Sequence, residues 1–310
     1  MKKLLLILLC VPLLLIYCLL FNCGLENKKI EIEDKNDLQN HNLKSKVKYV
    51  ASSCYEAIES FGMIEKGDKL DNDYLTEDTI RYNPKGYIQE EVIYGNNYTE
   101  YKYDEQGLLK ETISFSKVFL NKKELSGTGT YKYNNKKQLI EISTIYWSFL
   151  FDTAIGISSY EYNELGQMST YKSGDYQYKY KYDTKGNKIE DITYTNEVIT
   201  ARRKYTYDIN NNMINKLTYE KSGESRLTRY EYDNQENVTK KSTSFKIITD
   251  DFNWTNEDGS EFEPDEQEYD MKIEITYKYK YDENMNWISK VQYMNGKPQI
   301  ITERTIKYYK

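Results

Sequence analysis

The sequence predicts an all-β fold in which repeated β-hairpins form an antiparallel meander. We expect the meander to curve into a large sheet, a partial barrel or a spiral, behind an N-terminal signal helix. Three observations predict this fold: tyrosine supplies 33 of the 310 residues, many tyrosines alternate with polar residues as in a strand with one buried face, and the motif Tyr-x-Tyr-Asp/Asn recurs along the chain. Because each unit supplies two strands, we expect roughly 14 to 18 strands.

The N-terminus has the layout of an export signal. Met1-Lys2-Lys3 is a short basic start, and an apolar run from Leu4 to Phe21 follows it. The next residues, Leu20-Phe21-Asn22-Cys23-Gly24, resemble a bacterial lipobox, although Asn22 replaces the usual small residue. We therefore expect a signal peptide over residues 1–22 and lipidation at Cys23. An uncleaved transmembrane anchor and a plain cleaved signal are the alternatives, and all three export the chain.

Residues 23–46 predict a flexible tether, because they are rich in Asn, Lys, Asp and Glu and contain few apolar residues. The rest of the chain, residues 47–310, is expected to form one folded domain. The only histidine, His41, falls in the tether, so we expect it to be disordered and without a catalytic or metal-binding role. Cys54 is the only cysteine after Cys23, and we expect it to be a small buried apolar residue.

The composition limits the function classes. The formal net charge of −6 gives no electrostatic footprint for nucleic acid. Carboxylates are abundant, but glycoside hydrolysis needs two of them at a set separation across a cleft, and no pair stands out. We therefore expect no enzyme activity, no cofactor and no metal.

The repeat unit is a β-hairpin. Side chains alternate along a strand, so Tyr-x-Tyr places both rings on one face. The following Asp or Asn opens a turn, and Gly or Asn three residues later takes a positive φ with a bulge. The clearest copies are Tyr101, Tyr103, Asp104 and Gly107; Tyr180, Tyr182, Asp183 and Gly186; Tyr205, Tyr207 and Asp208 with Asn211; Tyr230, Tyr232 and Asp233 with Asn237; and Tyr279, Tyr281 and Asp282 with Asn286.

These cores resemble the YD repeats of the RHS family, and the resemblance covers about residues 74–310. It implies a long antiparallel sheet, which members of that family often roll into shells around secreted toxin cargo. This chain has too few repeats for a large shell, so enclosure of a toxin is not expected. It is more similar to short YD-repeat lipoproteins of uncharacterised role.

Two segments interrupt the repeats. Residues 145–151 are strongly apolar, and Tyr146, Trp147, Phe149 and Phe151 are the candidate ligand-binding residues if this segment forms an exposed aromatic edge. A strand buried on both faces and a hairpin extension are the alternatives. Between Asp250 and Asp270, ten of 21 residues are acidic, which predicts a flexible insertion. A weak calcium site at Asp250, Asp251 and Asp258, or an acidic docking loop, are the alternatives.

The leading hypothesis is a non-catalytic interaction module, tethered by lipid to a membrane of the bacterial cell envelope and facing the periplasm or the exterior. A carbohydrate-binding protein that uses exposed Tyr and Trp platforms is one alternative. A structural or protective partner of a secreted protein is another. The choice depends on whether the repeat tyrosines face inward or outward.

Overall fold

The structure is a computed structural model that describes residues 36–70, 78–93, 97–118, 122–147, 153–247 and 271–310. All of them belong to one compact unit, Ile32–Lys310. The predicted signal helix, Cys23, Phe149, Phe151 and the acidic segment from Asp250 to Asp270 lie outside these residues. In the part of the chain that is described, no helix is long and apolar enough to cross a membrane.

The described fold is almost entirely β-strand. Its one helix, α1, spans Asp37–Asn40. Nineteen strands follow it. In chain order they are β1 (Val47–Ser60), β2 (Met63–Lys69), β3 (Asp78–Tyr82), β4 (Ile88–Ile93), β5 (Asn97–Tyr103), β6 (Leu109–Val118), β7 (Lys122–Tyr133), β8 (Leu139–Tyr146), β9 (Ala154–Tyr162), β10 (Met168–Ser173), β11 (Tyr176–Tyr182), β12 (Lys188–Thr195), β13 (Val198–Tyr207), β14 (Met213–Glu220), β15 (Glu224–Tyr232), β16 (Val238–Ile247), β17 (Met271–Tyr281), β18 (Trp287–Met294) and β19 (Lys297–Tyr308).

The sheet closes on itself. Each strand from β3 onward pairs antiparallel with the next strand of the chain. Strand β1 pairs with β19 along one edge, through residues 47–56, and with β2 and β3 along the other edge. Strands β1 and β3–β19 therefore form a closed ring of 18 strands.

The prediction of an all-β antiparallel meander is confirmed, whereas the open forms that we expected, a partial barrel or a spiral, are wrong. The 19 strands also exceed the expected number. The physical reason is β1, which precedes the repeats and pairs with the otherwise free edge of the last strand. This pairing satisfies backbone groups that an open sheet would leave exposed.

The repeat turns have the predicted geometry. In the copy at Asp104, the carboxylate accepts hydrogen bonds from the backbone N–H groups of Gln106 and Leu108, both at 2.9 Å. Gly107 takes a φ of +84°, and the strand register shifts beside Tyr103, as a bulge requires. Equivalent turns begin at Asn83, Asn134, Asn163, Asp183, Asp208, Asp233 and Asp282.

The residue with positive φ is less restricted than the sequence predicts. Lys137, Glu236 and Met285 hold it in three copies, with φ between 62° and 63°. We expected Asn237 and Asn286 at this position in the last two of those copies. Both asparagines lie one residue further on, where the Asn237 amide donates to the Asp233 carboxylate and the Asn286 amide donates to the Lys44 carbonyl.

The two faces of the ring differ in their exposure. Burial raises the pKa of Tyr180 to about 12 and also raises the pKa of Tyr101 and Tyr279. In contrast, the Lys102 and Lys132 side chains, which lie between paired tyrosines, are 53% and 65% exposed. The tyrosine face therefore lies inside the closed ring, and we call it the inner wall. The lysine face lies outside, and we call it the outer wall.

The outer wall is charged. Its lysines and arginines form ion pairs with glutamates on the neighbouring strand, 2.6 to 3.5 Å apart. These pairs are Arg81–Glu90, Lys102–Glu111, Lys132–Glu141, Lys172–Glu161 and Lys181–Glu190. The residue between the two tyrosines of a repeat therefore has a recurring cross-strand partner.

Residues 36–46, here called the N-terminal strap, are packed against the turn end of the ring. Leu38 and Leu43 are each 8% exposed and join Val47, Val50 and Tyr82 in a hydrophobic cluster. Three hydrogen bonds tie the strap to repeat turns: Leu38 N–H to the Gly86 carbonyl (3.1 Å), the Asn42 amide to the Gln235 carbonyl (2.8 Å) and Lys44 N–H to the Asn286 side chain (2.7 Å). The ordered domain thus begins earlier than residue 47, and the prediction of a flexible chain up to residue 46 is wrong for the strap.

Candidate binding site on the inner wall

In six repeats, the second tyrosine ties neighbouring hairpins together. Its hydroxyl donates a hydrogen bond to the backbone carbonyl of the first residue of the return strand in the preceding hairpin, over 2.7 to 2.9 Å. The donor and acceptor pairs are Tyr103–Ile88, Tyr133–Leu109, Tyr162–Leu139, Tyr182–Met168, Tyr207–Lys188 and Tyr232–Met213. These tyrosines are structural, and this contact was not predicted from the sequence.

The pattern of these tyrosine hydrogen bonds changes after the long insertion before β17. Tyr279, the first tyrosine of its core, donates to the Val238 carbonyl at 2.8 Å. Tyr281, the second tyrosine, donates instead to the carboxylate of Asp233 in the preceding turn. Tyr308 makes the equivalent bond to Asp282. The last repeats therefore use the turn carboxylates as additional anchor points.

The inner wall of β5–β11, here called the aromatic arc, consists mainly of Tyr, Thr, Ser and Gly side chains. At its centre the rings of Tyr160, Tyr171 and Tyr178 lie on three adjacent strands, with centroids 5.1 and 5.7 Å apart. Ser158 contacts both the Tyr171 hydroxyl, at 3.3 Å, and the Ser173 hydroxyl, at 3.1 Å. This arc combines aromatic faces with uncharged hydrogen-bonding groups.

The inner wall of β12–β19, here called the cationic arc, has a different character. Strand register places seven basic side chains on it, although the whole chain is acidic: Lys188, Arg203, Lys216, Arg226, Lys241, Lys290 and Arg304. Burial lowers the pKa of Lys216, and the nearby Arg203 charge lowers it further. A cavity of about 300 Å³ is lined by Lys216, Arg226 and Lys241.

One carboxylate of the cationic arc is fully engaged. Asp191 accepts hydrogen bonds from Tyr205 at 2.5 Å and Arg203 at 2.9 Å, and pairs with Lys188 at 3.0 Å. Burial acts to raise the pKa of Asp191, but these three donors outweigh it and hold the pKa below its usual range. Asp191 is thus a fixed anion that neutralises part of the arc rather than a group poised to transfer a proton.

The sequence-predicted aromatic edge is only partly within the described structure. Tyr146 ends β8 and is 55% exposed, and Trp147 follows it and is 38% exposed. The exposure of both residues does not fit a strand buried on both faces, but it fits an interaction edge and a hairpin extension equally. Their role in binding a partner stays a prediction.

The environments of His41 and Cys54 both differ from those predicted. His41 is ordered, because its Nδ1 lies 2.7 Å from the hydroxyl of Tyr82, a residue that is 1% exposed. Cys54 is only partly buried and lies 3.6 Å from the Thr302 hydroxyl on the inner wall. Within the described ranges, no three His, Cys, Asp or Glu side chains are grouped so that they could hold a metal ion.

Comparisons with known proteins give a distant likeness of structure. No protein-family model and no curated protein sequence matches the chain. A porin-like protein from Bacteroides uniformis is 12% identical over 85% of this chain and 99% of its own, with a TM-score of 0.42. A porin-like protein from Bacteroides vulgatus is 11% identical over 86% and 99%, with a TM-score of 0.35. The TcdB2-TccC3-Cdc42 structure is 14% identical over 73% of this chain and 13% of its own, with a TM-score of 0.23. At these identities and TM-scores the matches do not identify a function.

Proposed function

We propose that the protein is an exported, lipid-anchored YD-repeat protein of the cell envelope that binds a ligand on its inner wall without catalysing a reaction. The closed ring carries this proposal, because it encloses the tyrosine face and leaves most of its rings only partly buried. A ring of about 18 strands is wider than its own side chains can fill. The inner wall therefore faces a space that a ligand can enter.

The charged outer wall supports a barrel that stands in water. A lipid-facing wall would carry an apolar band, and each Lys or Arg at the middle of a bilayer costs about 2–4 kcal/mol. The ion pairs of the hairpins lie near the turns, but Lys179 in β11 and Lys278 in β17 lie at mid-strand on the outer wall, where that band would be. We then assign attachment to the membrane to the N-terminal lipid at Cys23. The geometry of the repeat turns supports the proposal that the repeats are of the YD type.

Lipidation is tested by metabolic labelling with a palmitate analogue. The wild-type protein should be labelled and should fractionate with membranes, and Cys23→Ser should be unlabelled. Cys54→Ser is the matched control and should be labelled like the wild type. Equal labelling of Cys23→Ser would contradict the lipid anchor.

Access to the inner wall is tested with thiol chemistry in a Cys54→Ser background. Ser158→Cys places a thiol on the inner wall, and Ser143→Cys places one on the outer wall of neighbouring strands. We expect N-ethylmaleimide to modify both, and a polymer-linked maleimide to modify Ser143→Cys far faster. If the folded Ser158→Cys variant reacts with neither reagent, the inner wall is not a binding surface and the proposal fails.

Carbohydrate binding is the second candidate, and the Tyr160–Tyr171–Tyr178 cluster favours it. Aromatic faces stack on sugar rings, while the adjoining serine hydroxyls offer hydrogen bonds. In this proposal the platform lies inside the barrel and not on the exposed surface. The role of a structural or protective partner for a secreted protein stays a prediction.

A glycan array tests this candidate with the full-length protein. We expect binding that Tyr171→Ala weakens by about tenfold or more, since one stacked ring contributes roughly 1–3 kcal/mol in comparable aromatic stacking. Tyr194→Ala, which removes an outer-wall ring that stacks with Lys179, should leave it unchanged. The absence of any hit would eliminate carbohydrate, and equal loss in both variants would place the ligand elsewhere.

A further inference from the structure

We infer that the inner wall beside the N-terminal strap holds a site for a small organic carboxylate at a cavity of about 280 Å³ that Arg304 lines, with Lys290 adding a second positive charge beside Arg304. This inference rests on the proposed function, since it names the ligand class for one part of the same wall. It depends on the hydrogen bonding of Arg304, the position of Lys290 and the lining of the cavity.

Arg304 is a desolvated cation with unused donors. Its guanidinium carbon lies 3.3 Å from the centre of the Trp287 ring, and its Nε is buried without a hydrogen-bond partner. Among the described residues, no carboxylate forms an ion pair with it. Arg203 and Lys188 differ, because they share Asp191. A guanidinium left without an anion in such a place is costly, since its buried Nε–H loses water and gains no acceptor.

Lys290 brings a second positive charge to the same place. It lies opposite Thr302 on the next strand, so it is the diagonal neighbour of Arg304 on the inner wall. Its ammonium is 5.1 Å from the centre of the Trp287 ring. Burial lowers the pKa of Lys290, and the charge of Arg304 lowers it further; burial alone lowers the pKa of Arg304 to about 10. Both shifts point to two cations that lack a counterion, and a bound anion would relieve both.

The cavity beside Arg304 has a polar and an apolar side. Ser52 and the hydrogen-bonded pair of His41 and Tyr82 provide polar groups. Leu43, Val50 and Ile80 form the apolar side. A carboxylate can accept two parallel hydrogen bonds from the guanidinium, while an alkyl or aryl body packs against the aliphatic side chains. The volume lies at the lower end of ligand cavities, which fits a small molecule.

The charges at the site favour a monoanion. Arg304 and Asp78 both line the cavity, and Lys290 lies next to Arg304 on the neighbouring strand. A doubly charged phosphate would be repelled by Asp78 more strongly than a single ligand carboxylate. The strap completes the site, because it supplies His41 and Leu43.

The inference is tested by isothermal titration of the full-length protein with three probes. Benzoate is the carboxylate, benzamide is its neutral counterpart, and inorganic phosphate is the competing anion. We expect benzoate to bind at least about tenfold more tightly than either of the others, because charge-assisted hydrogen bonds in a desolvated site are stronger than neutral ones. Arg304→Gln should weaken benzoate binding by about tenfold or more, and Lys290→Gln by a few-fold. Arg229→Gln, which changes an exposed arginine of the outer wall, should leave it unchanged.

Three results would overturn the inference: no benzoate binding by the folded wild type, equal binding of benzamide, or phosphate binding at least as tight as benzoate. Unchanged benzoate binding in Arg304→Gln would also overturn it. Arg304→Lys keeps the positive charge but lacks the paired N–H donors of the guanidinium, so it should retain part of the affinity for benzoate. It provides a second test if Arg304→Gln misfolds. The maleimide reaction of Ser158→Cys reports on the inner space independently, so a missing anion site and a closed inner wall give different results.

Discussion

Tyrosine has two roles in the repeats that precede β17, and its position in the Tyr-x-Tyr core decides between them. The second ring lies beside the bulge, and its hydroxyl reaches a carbonyl of the preceding hairpin, as Tyr207 does with Lys188. The first ring lies further from the turn and lines the inner wall. The high tyrosine content thus supplies both inter-repeat hydrogen bonds and the surface of the enclosed space.

The structural role of the second tyrosine predicts the effect of Tyr207→Phe. The substitution keeps the ring but leaves the Lys188 carbonyl without its donor, so we expect the free energy of unfolding to fall by about 1 kcal/mol. Urea denaturation measures it. Tyr194→Phe removes a hydroxyl from an outer-wall ring and should change stability by less than half as much. Equal changes in the free energy of unfolding would mean that the hydrogen bonds of the second tyrosines contribute nothing specific to stability.

The Asp191 cluster predicts a pH dependence. Because the folded-state pKa lies below the unfolded value near 3.8, the ionised carboxylate stabilises the fold at higher pH, and this contribution is lost as the pH falls through the folded-state pKa. Asp191→Asn should therefore destabilise the protein by about 3 kcal/mol at neutral pH. The difference from the wild type should shrink below about pH 4. A difference that is independent of pH, measured by urea denaturation across this range, would contradict the assignment.

At the level of elements, the hairpins were predictable because their signals are local. Alternation of Tyr with Lys or Glu sets the strand face, and Asp104 sets the turn through contacts with its next few residues. The N-terminal strap was not predictable in this way. Its composition is polar, and only two apolar side chains, Leu38 and Leu43, find a buried place when distant turns come together.

Most residues of the candidate site could not be predicted from the sequence, for the same reason. Lys290 and Arg304 look like ordinary basic residues of solvent-exposed strand positions. The available signal was the alternation of side chains along a strand. Arg304 lies an even number of residues from Tyr308, so it belongs to the tyrosine face. Its lack of a carboxylate partner depends on strands that are far apart in the sequence, and no local pattern contains that information.

Docking of the strap predicts a difference between two glycine substitutions. Gly86 and Gly107 occupy the same turn position, with φ of 87° and 84°, so Ala at either site is strained by about 1 kcal/mol. A Cβ at Gly107 meets nothing within 4 Å, whereas one at Gly86 would lie 2.6 Å from the Asn36 amide nitrogen and 3.1 Å from Leu38. Gly86→Ala should therefore destabilise the protein more, and should also expose the strap to protease. Equal stability and equal cleavage of the two variants would show that the strap is not docked there.

For the whole molecule, the pairing of β1 with β19 decides between a closed ring and an open sheet. The two strands come from opposite ends of the repeat region, so no repeat motif encodes their contact. Cys54 and Thr302 are directly opposite across this seam, with their side-chain sulfur and oxygen 3.6 Å apart. Directly opposite residues of an antiparallel pair have the spacing that a disulfide needs.

Closure therefore predicts that Thr302→Cys forms a disulfide with the native Cys54 within one chain. The bond would link residues 248 positions apart, and restricting so long a loop in the unfolded chain stabilises by up to about 5 kcal/mol, less any strain at the bond. Peptide mapping without reductant detects the link, and thermal unfolding with and without reductant measures its effect. Thr302→Cys combined with Cys54→Ser should show neither the link nor any response of stability to reductant. An open sheet would hold the two sulfur atoms apart, so a folded Thr302→Cys variant that keeps both thiols free under oxidising conditions would refute the closed ring and, with it, the enclosed inner wall.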